Sequence, residues 1–281
     1  MRESSIVRGT LAALILVTGG CGGGRQEEDA PQAAPQAASA PRAGVWFNGD
    51  FESGTLDGWA RDSARRDSIV VVEEPVRRGR YAARVNLETG DVAADKERVE
   101  LKLGDRSLER ERAGNGSEVW YGWSLFVPAD FEDPPEGTFQ IVAQWHHRPP
   151  PARREGASAP VSGAPPLTLY LARRDGRPAL LLSGRRTRGA APRTLGEATF
   201  DKEAWTDVVF HVRWSTRDDG FVEGWMNGRP MTAGKQHGRT LYGPGSNYLR
   251  LGLYRNHGVP TANDVYYDEV RLGDSLAAVS P

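Results

Sequence analysis

The chain has 281 residues, 36 basic and 37 acidic side chains, and a formal net charge of −1. That balance excludes a global nucleic-acid footprint, while still permitting a local basic cleft for an acidic ligand. A single cysteine excludes an internal disulfide, so the fold must rest on packing.

At the start, Arg2 and Arg8 flank a basic segment, residues 11–17 form a short apolar run, and Thr18-Gly19-Gly20-Cys21 follows. This order matches a secretory signal with a small-residue cleavage site, and the run is too short to cross a bilayer. The tetrad resembles the lipobox of bacterial lipoproteins, with Thr18 in place of the more usual Leu-Ala/Ser start. It implies a signal peptide over residues 1–20 and a diacylglycerol on Cys21. It also implies export and a membrane anchor, with the outer membrane favoured because Gly22 stands where a retention Asp would. Residues 21–44 are rich in Gly, Ala, Pro and Gln, cannot bury a core, and read as a tether.

From residue 45 onward the composition is globular. Apolar runs rich in β-branched and aromatic residues recur at 69–72, 81–87, 98–103, 119–127, 139–146, 167–172, 179–182, 207–215, 221–226, 248–254 and 265–272. Gly, Pro and Asp turns separate them, and Asn227-Gly228 is a type I′ hairpin signal. Only residues 201–205 suggest a helical turn. The pattern predicts one all-β domain over 45–281, a jelly roll in which two antiparallel sheets form a concanavalin-like sandwich. Residues 48–54 with Trp59, and residues 266–270, resemble the opening and closing strands of carbohydrate-active jelly rolls. In such folds the paired ends often hold a structural Ca²⁺. Glu52 and Asp268 are its candidate oxygen ligands, a plain surface pair of acids being the other reading.

Three strands concentrate chemistry on one face. Residues 98–103 place Arg98, Glu100 and Lys102 together, opposite an apolar face. Residues 140–146 place Gln140, Gln144 and His146 on one side, with Ile141, Ala143 and Trp145 opposed. Residues 248–256 align Tyr248, Arg250, Gly252, Tyr254 and Asn256, with three leucines behind.

Arg98-Val99-Glu100-Leu101-Lys102, Gln144-Trp145-His146 and the run from Tyr248 to Asn256 resemble the three signature strands of jelly-roll polysaccharide lyases. Those signatures are Arg-x-Glu-Leu-Arg, Gln-x-His and Tyr-x-Lys-x-Gly-x-Tyr-x-Gln, and the group includes alginate lyases, glucuronan lyases and heparin lyase I. Residues 121–128 also look like the strand before Gln-x-His in the glucuronan and heparin branch. Lys102, Arg250 and Asn256 depart from the pattern while keeping charge or hydrogen-bonding type. The resemblance implies β-elimination on a uronic-acid polysaccharide, glucuronan-like or alginate-like. Gln144 and Arg98 would neutralise the uronate carboxylate, and His146 and Tyr254 would serve as base and acid. Glu100, Lys102, Arg250 and Asn256 would hold neighbouring sugars, and His211 is a further groove candidate. No cofactor is required for that chemistry, and a monomer acting on an acidic polysaccharide is expected, with no nucleic-acid partner. Residues 148–166, rich in Pro, Arg and Ala, sit where a lid over the groove would, an idle insertion being the alternative. The rival function is a non-catalytic carbohydrate-binding lipoprotein on the same sandwich. A glycoside hydrolase would need paired carboxylates on one strand, and no Glu-x-Asp-x-x-Glu run occurs.

Overall fold

Leucines, valines and tryptophans at alternate positions of successive strands meet in one apolar layer between two sheets. The computed structural model describes residues 42–93, 96–103, 112–133, 138–150, 163–256 and 261–281. In chain order the strands are β1 (Val45–Gly49), β2 (Trp59–Asp62), β3 (Ile69–Val72), β4 (Ala82–Leu87), β5 (Val92–Ala93) and β6 (Lys96–Leu103). There follow β7 (Glu118–Phe126), β8 (Gln140–Arg148), β9 (Leu167–Arg174), β10 (Arg177–Gly184), β11 (Arg193–Thr199) and β12 (Trp205–Arg213). The last are β13 (Phe221–Met226), β14 (Arg229–Pro230), β15 (Gln236–His237), β16 (Ser246–Arg255) and β17 (Asn263–Gly273). Among the described residues a 3₁₀ turn, Arg66–Ser68, precedes β3, and a short helix, α1 (Leu276–Val279), follows β17.

One sheet runs β14-β13-β12-β7-β17-β4-β3, with β1 on β17 and β15 on β13. The other runs β11-β10-β9-β8-β16-β6-β2, with β5 on β6. Every registered pairing is antiparallel, as the jelly-roll expectation requires. The two ends of the domain do pair, with Asn48 opposite Arg271 and Gly49 opposite Val270. Asn227 and Gly228 take φ values of 49° and 73°, so the predicted hairpin turn forms between β13 and β14. Residues 201–204 form a turn rather than a helix, because Trp205 already belongs to β12.

The core is carried by the tryptophans. Trp123 and Trp145, from opposite sheets, lie 6.0 Å apart between ring centroids, and Phe210 sits within 5.4 Å of both. This layer fixes the eight-stranded sheet from behind, leaving its other face to chemistry.

Candidate active site

Strands β8, β16 and β6 lie side by side, and their registers decide which functional side chains meet. Tyr248 stands opposite His146, and Arg250 stands between Gln144 on one side and Lys102 on the other. Tyr254 stands opposite Arg98 and Ile141. Two rows result: an inner row of Gln144, His146, Tyr248 and Arg250, and an outer row of Arg98, Ile141 and Tyr254. A cavity of about 800 Å³ spans both, lined among others by Gln144, His146, Arg250, Arg98 and Tyr254. Lys96, Phe139, Ile141, Tyr170, Arg185 and residues 163–165 complete its lining. Among these described residues are four cations and no carboxylate, so the cavity suits a polyanion.

The floor beneath the inner row is Glu100, whose side chain is only 2% exposed. Gln144 Nε2 donates to its Oε1, and Arg250 Nη1 donates to its Oε2 at 2.9 Å. Arg250 Nη1 also reaches Asp62 Oδ2 at 2.8 Å, and Nη2 donates to the Tyr248 hydroxyl at 2.9 Å. Arg98 approaches the same two carboxylates at 3.7 and 3.9 Å and lies over the Tyr254 ring, 4.6 Å from its centroid. Glu100 is therefore a buried anchor that orients Gln144 and Arg250. The structure does not place it as the sugar contact expected from the sequence: its two oxygens accept from Gln144 and Arg250 on the same sheet face, and it is not among the cavity-lining residues.

His146 is held in its neutral form. Burial, then the positive charges of Arg250 and Arg98, push its pKa from 6.5 down to about 4. Its Nδ1 lies 3.3 Å from the His147 carbonyl oxygen, which can only accept. The ring proton therefore belongs on Nδ1, and Nε2 carries the lone pair. The ring centroid of Tyr248 is 5.6 Å from that of His146. Tyr254, by contrast, is displaced by the five residue steps from His146 to Ile141, about 16 Å of strand. Burial raises its phenol pKa.

Other expected residues go elsewhere. Asn256 Oδ1 accepts the Phe139 amide at 2.7 Å, tying the entry of β8 instead of lining the cavity. Lys102 shares the sheet face, opposite Arg250 and Ala60, but is not among the cavity-lining residues. His211 belongs to β12 in the other sheet, where it stacks on Trp120 at 4.1 Å and Nε2 contacts Glu118 at 3.1 Å. Its expected place in the groove is thus corrected: strand alternation gave its outward face but could not say on which sheet. Gln140 is fully buried while Ile141 lines the cavity, the reverse of the alternation read from sequence. A register shift at Val142 inverts the faces of β8.

The calcium candidates serve the loop before β4. Glu52 accepts the amides of Arg80 and Tyr81, and Asp268 those of Arg77, Arg78 and Glu269. Among the described residues no three His, Cys, Asp or Glu side chains gather as a metal site. Of the lid segment, residues 163–165 line the cavity, and the Ala164 carbonyl accepts the Tyr242 hydroxyl at 2.9 Å. Residues 151–162, the signal segment and Cys21 lie outside the described residues. Sequence reasoning assigned no role to Tyr248, Tyr170, Phe139, Lys96 or Arg185. Tyr248 was legible as a groove-facing residue, but its partner on β8 was not.

The family profile described as polysaccharide lyase matches residues 51–271. No curated protein matches the chain. Among solved structures, the endo-β-1,4-glucuronan lyase of the fungus Trichoderma reesei is 20% identical, with a TM-score of 0.62 over 84% of this chain and 98% of that one. An alginate lyase from a Chlorella virus is 10% identical, with a TM-score of 0.50 over 82% and 100%. A β-glucanase catalytic domain from Podospora anserina is 14% identical, with a TM-score of 0.57 over 84% and 98%. The sandwich is thus shared by lyases and a glucanase, and likeness at this level conveys fold alone. The profile, which spans most of the domain, conveys more: this chain belongs to the polysaccharide lyase family and is a polysaccharide lyase with a β-jelly-roll fold.

Proposed function

We propose that the chain cleaves a uronic-acid polysaccharide, glucuronan-like or alginate-like, by β-elimination at the inner row. The observation that carries this reading is a neutral His146 in a cavity lined by four cations and no carboxylate. A glycosidase needs two carboxyl groups flanking the bond it hydrolyses, and this lining offers none among the described residues. Elimination needs instead a base for the C5 proton, an acid for the O4 leaving group, and donors on the uronate carboxylate.

His146 Nε2 is the base. It takes the C5 proton, the electron pair of that bond forms the C4=C5 double bond, and the C4–O4 bond breaks. Gln144, whose second amide hydrogen is not used by Glu100, and Arg98 stabilise the charge that builds on the carboxylate. Tyr248 is the acid for O4. Its oxygen accepts from Arg250, which leaves its own O–H free to turn toward the leaving group. Tyr248 takes the acid role in this reading in place of Tyr254, because it stands opposite His146 with 5.6 Å between ring centroids, while Tyr254 lines the cavity farther along the groove. Tyr254 and Lys96 then hold the next acidic sugar along the groove. No redox change occurs, so no electron-transfer cofactor is called for. By its lipobox-like tetrad, the enzyme acts while anchored through Cys21 at the cell envelope.

The test is incubation with glucuronan, alginate and heparin, following the ultraviolet absorbance of the conjugated product. Absorbance on at least one polymer, lost in His146→Ala, is expected. Glycan binding without product would instead favour the non-catalytic carbohydrate-binding reading.

A further inference from the structure

Between the inner and outer rows the sheet contains a paired irregularity. β16 is in register with β8 at Leu251 opposite Ala143, and then slips, so that Tyr254 stands opposite Ile141. Continued without the slip, the same register would set Tyr254 opposite Gln140. β8 also slips against β9 between Ile141 and Ala143. Val142 is the residue that both registers skip, and its side chain packs in the core while Ile141 turns to the cavity. Gly252, on the β16 side of the slip, has a φ of 149°, and a Cβ there would lie 2.2 Å from the Val99 carbonyl oxygen. A bulge of this kind leaves backbone groups outside the ladder, and they need other partners.

One side chain from the opposite sheet supplies them. Tyr267 of β17 is fully buried, and its hydroxyl crosses the core to the irregularity. The hydroxyl donates to the Val142 carbonyl at 2.6 Å and accepts the Gly252 amide at 3.1 Å, with the Gly252 carbonyl also 3.1 Å away. Complete burial keeps the phenol protonated, so the donor is always present. Apolar and aromatic side chains fill the rest of this layer, and a phenylalanine would fill the same space without the hydroxyl.

We infer that Tyr267 is a positioning residue: its hydroxyl pins the double bulge and thereby sets the offset between the inner and outer rows of the groove. It touches no substrate. Through Val142 and Gly252 it fixes where Ile141 and Tyr254 stand relative to Gln144, His146 and Arg250. The inference rests on the elimination reading above, in which a polymer must occupy both rows at once to place its scissile bond at His146. A misplacement of about 1 Å between such rows costs on the order of a hundredfold in rate.

The test uses Tyr267→Phe and a series of oligouronates of increasing length, assayed well below the melting temperature. Disaccharides straddling the inner row alone should be cleaved at nearly the wild-type rate. Longer oligomers that reach Tyr254 should lose about 10- to 100-fold in kcat/KM. A purely structural role would lower both classes equally, or neither, and either result overturns the inference. Hydrogen exchange provides a second reading that needs no activity. In the wild type the Gly252 amide should exchange as slowly as those of Leu251 and Leu253, and in Tyr267→Phe it should exchange faster. Rapid exchange at Gly252 in the wild type overturns the peg even if the variant does not fold. If the wild type cleaves no uronate polymer, the elimination reading fails, and the exchange measurement still decides the peg.

Discussion

Acidification is the most direct perturbation of His146. An exposed imidazole would titrate near 6.5, but burial and the two guanidiniums hold this one near 4. In the free enzyme, kcat/KM should therefore stay level from neutral pH down to about 5 and fall by half near pH 4, with a slope of one. A bound uronate brings negative charge beside the ring, so the inflection in kcat should lie higher than that in kcat/KM. The same group makes stability depend on pH. Above about pH 6.5 it is neutral in both states and costs nothing. As pH falls from 6.5 toward 4 the unfolded chain takes up a proton that the native site refuses, and stability is lost. The full loss is on the order of 3 kcal/mol, at about 1.4 kcal/mol per pH unit. For a domain of this size that corresponds to a fall in Tm of about 6–12 °C. Asp268, whose burial outweighs its three amide donors and raises its carboxyl to about 7, contributes a slope of opposite sign. The quantity to measure is thus the difference between wild type and His146→Gln in thermal melts from pH 4 to 8, beside initial rates. An inflection in kcat/KM at 6.5 or above would refute a buried neutral base. So would the same melting slope in His146→Gln.

The two tyrosines separate by kinetics. Tyr248→Phe should lower kcat by about 10²- to 10⁴-fold, whereas Tyr254→Phe keeps its ring under Arg98 and should mainly raise KM. The opposite pattern returns the acid role to Tyr254. Trp145→Ala empties the space between Trp123, Tyr121 and Phe210, and should cost about 3–5 kcal/mol in denaturant unfolding. Chelation by EDTA should leave Tm unchanged, because Glu52 and Asp268 already accept backbone amides; a loss reversed by Ca²⁺ would restore the calcium reading. Cys21→Ser should move the protein from the membrane to the soluble fraction of the expressing cell.

The strands and the layer architecture were legible because alternation is a local signal, and β3 and β13 begin and end where their apolar runs do. β11 escaped reading because its sequence, RTLGEAT, lies half-exposed at a sheet edge with one leucine to mark it. The site was legible as three strand faces and blurred where it depends on registers between strands far apart in sequence. Alternation cannot show that Tyr248 rather than Tyr254 meets His146. Nor can it foresee the slip at Val142, which trades Gln140 for Ile141 in the cavity. His211 shows the same limit, since an outward face looks alike on either sheet.

Glu100 is where stability and chemistry can be pulled apart. Its carboxylate is shared by Gln144 and Arg250 in a nearly dry floor, so removing its charge leaves Arg250 dependent on Asp62 alone. Breaking one partner of such a buried pair costs about 3–5 kcal/mol, whereas replacing both partners together is often close to neutral. Glu100→Gln should therefore lower Tm markedly, and Glu100→Gln combined with Arg250→Gln should recover much of the loss. Activity should not recover. The double variant still lacks the guanidinium that orients the Tyr248 hydroxyl, so kcat should remain at least as low as in Arg250→Gln alone. If kcat instead rises in step with Tm across the three proteins, Glu100 is only a structural ion pair. The inner row would then owe its geometry to the sheet alone.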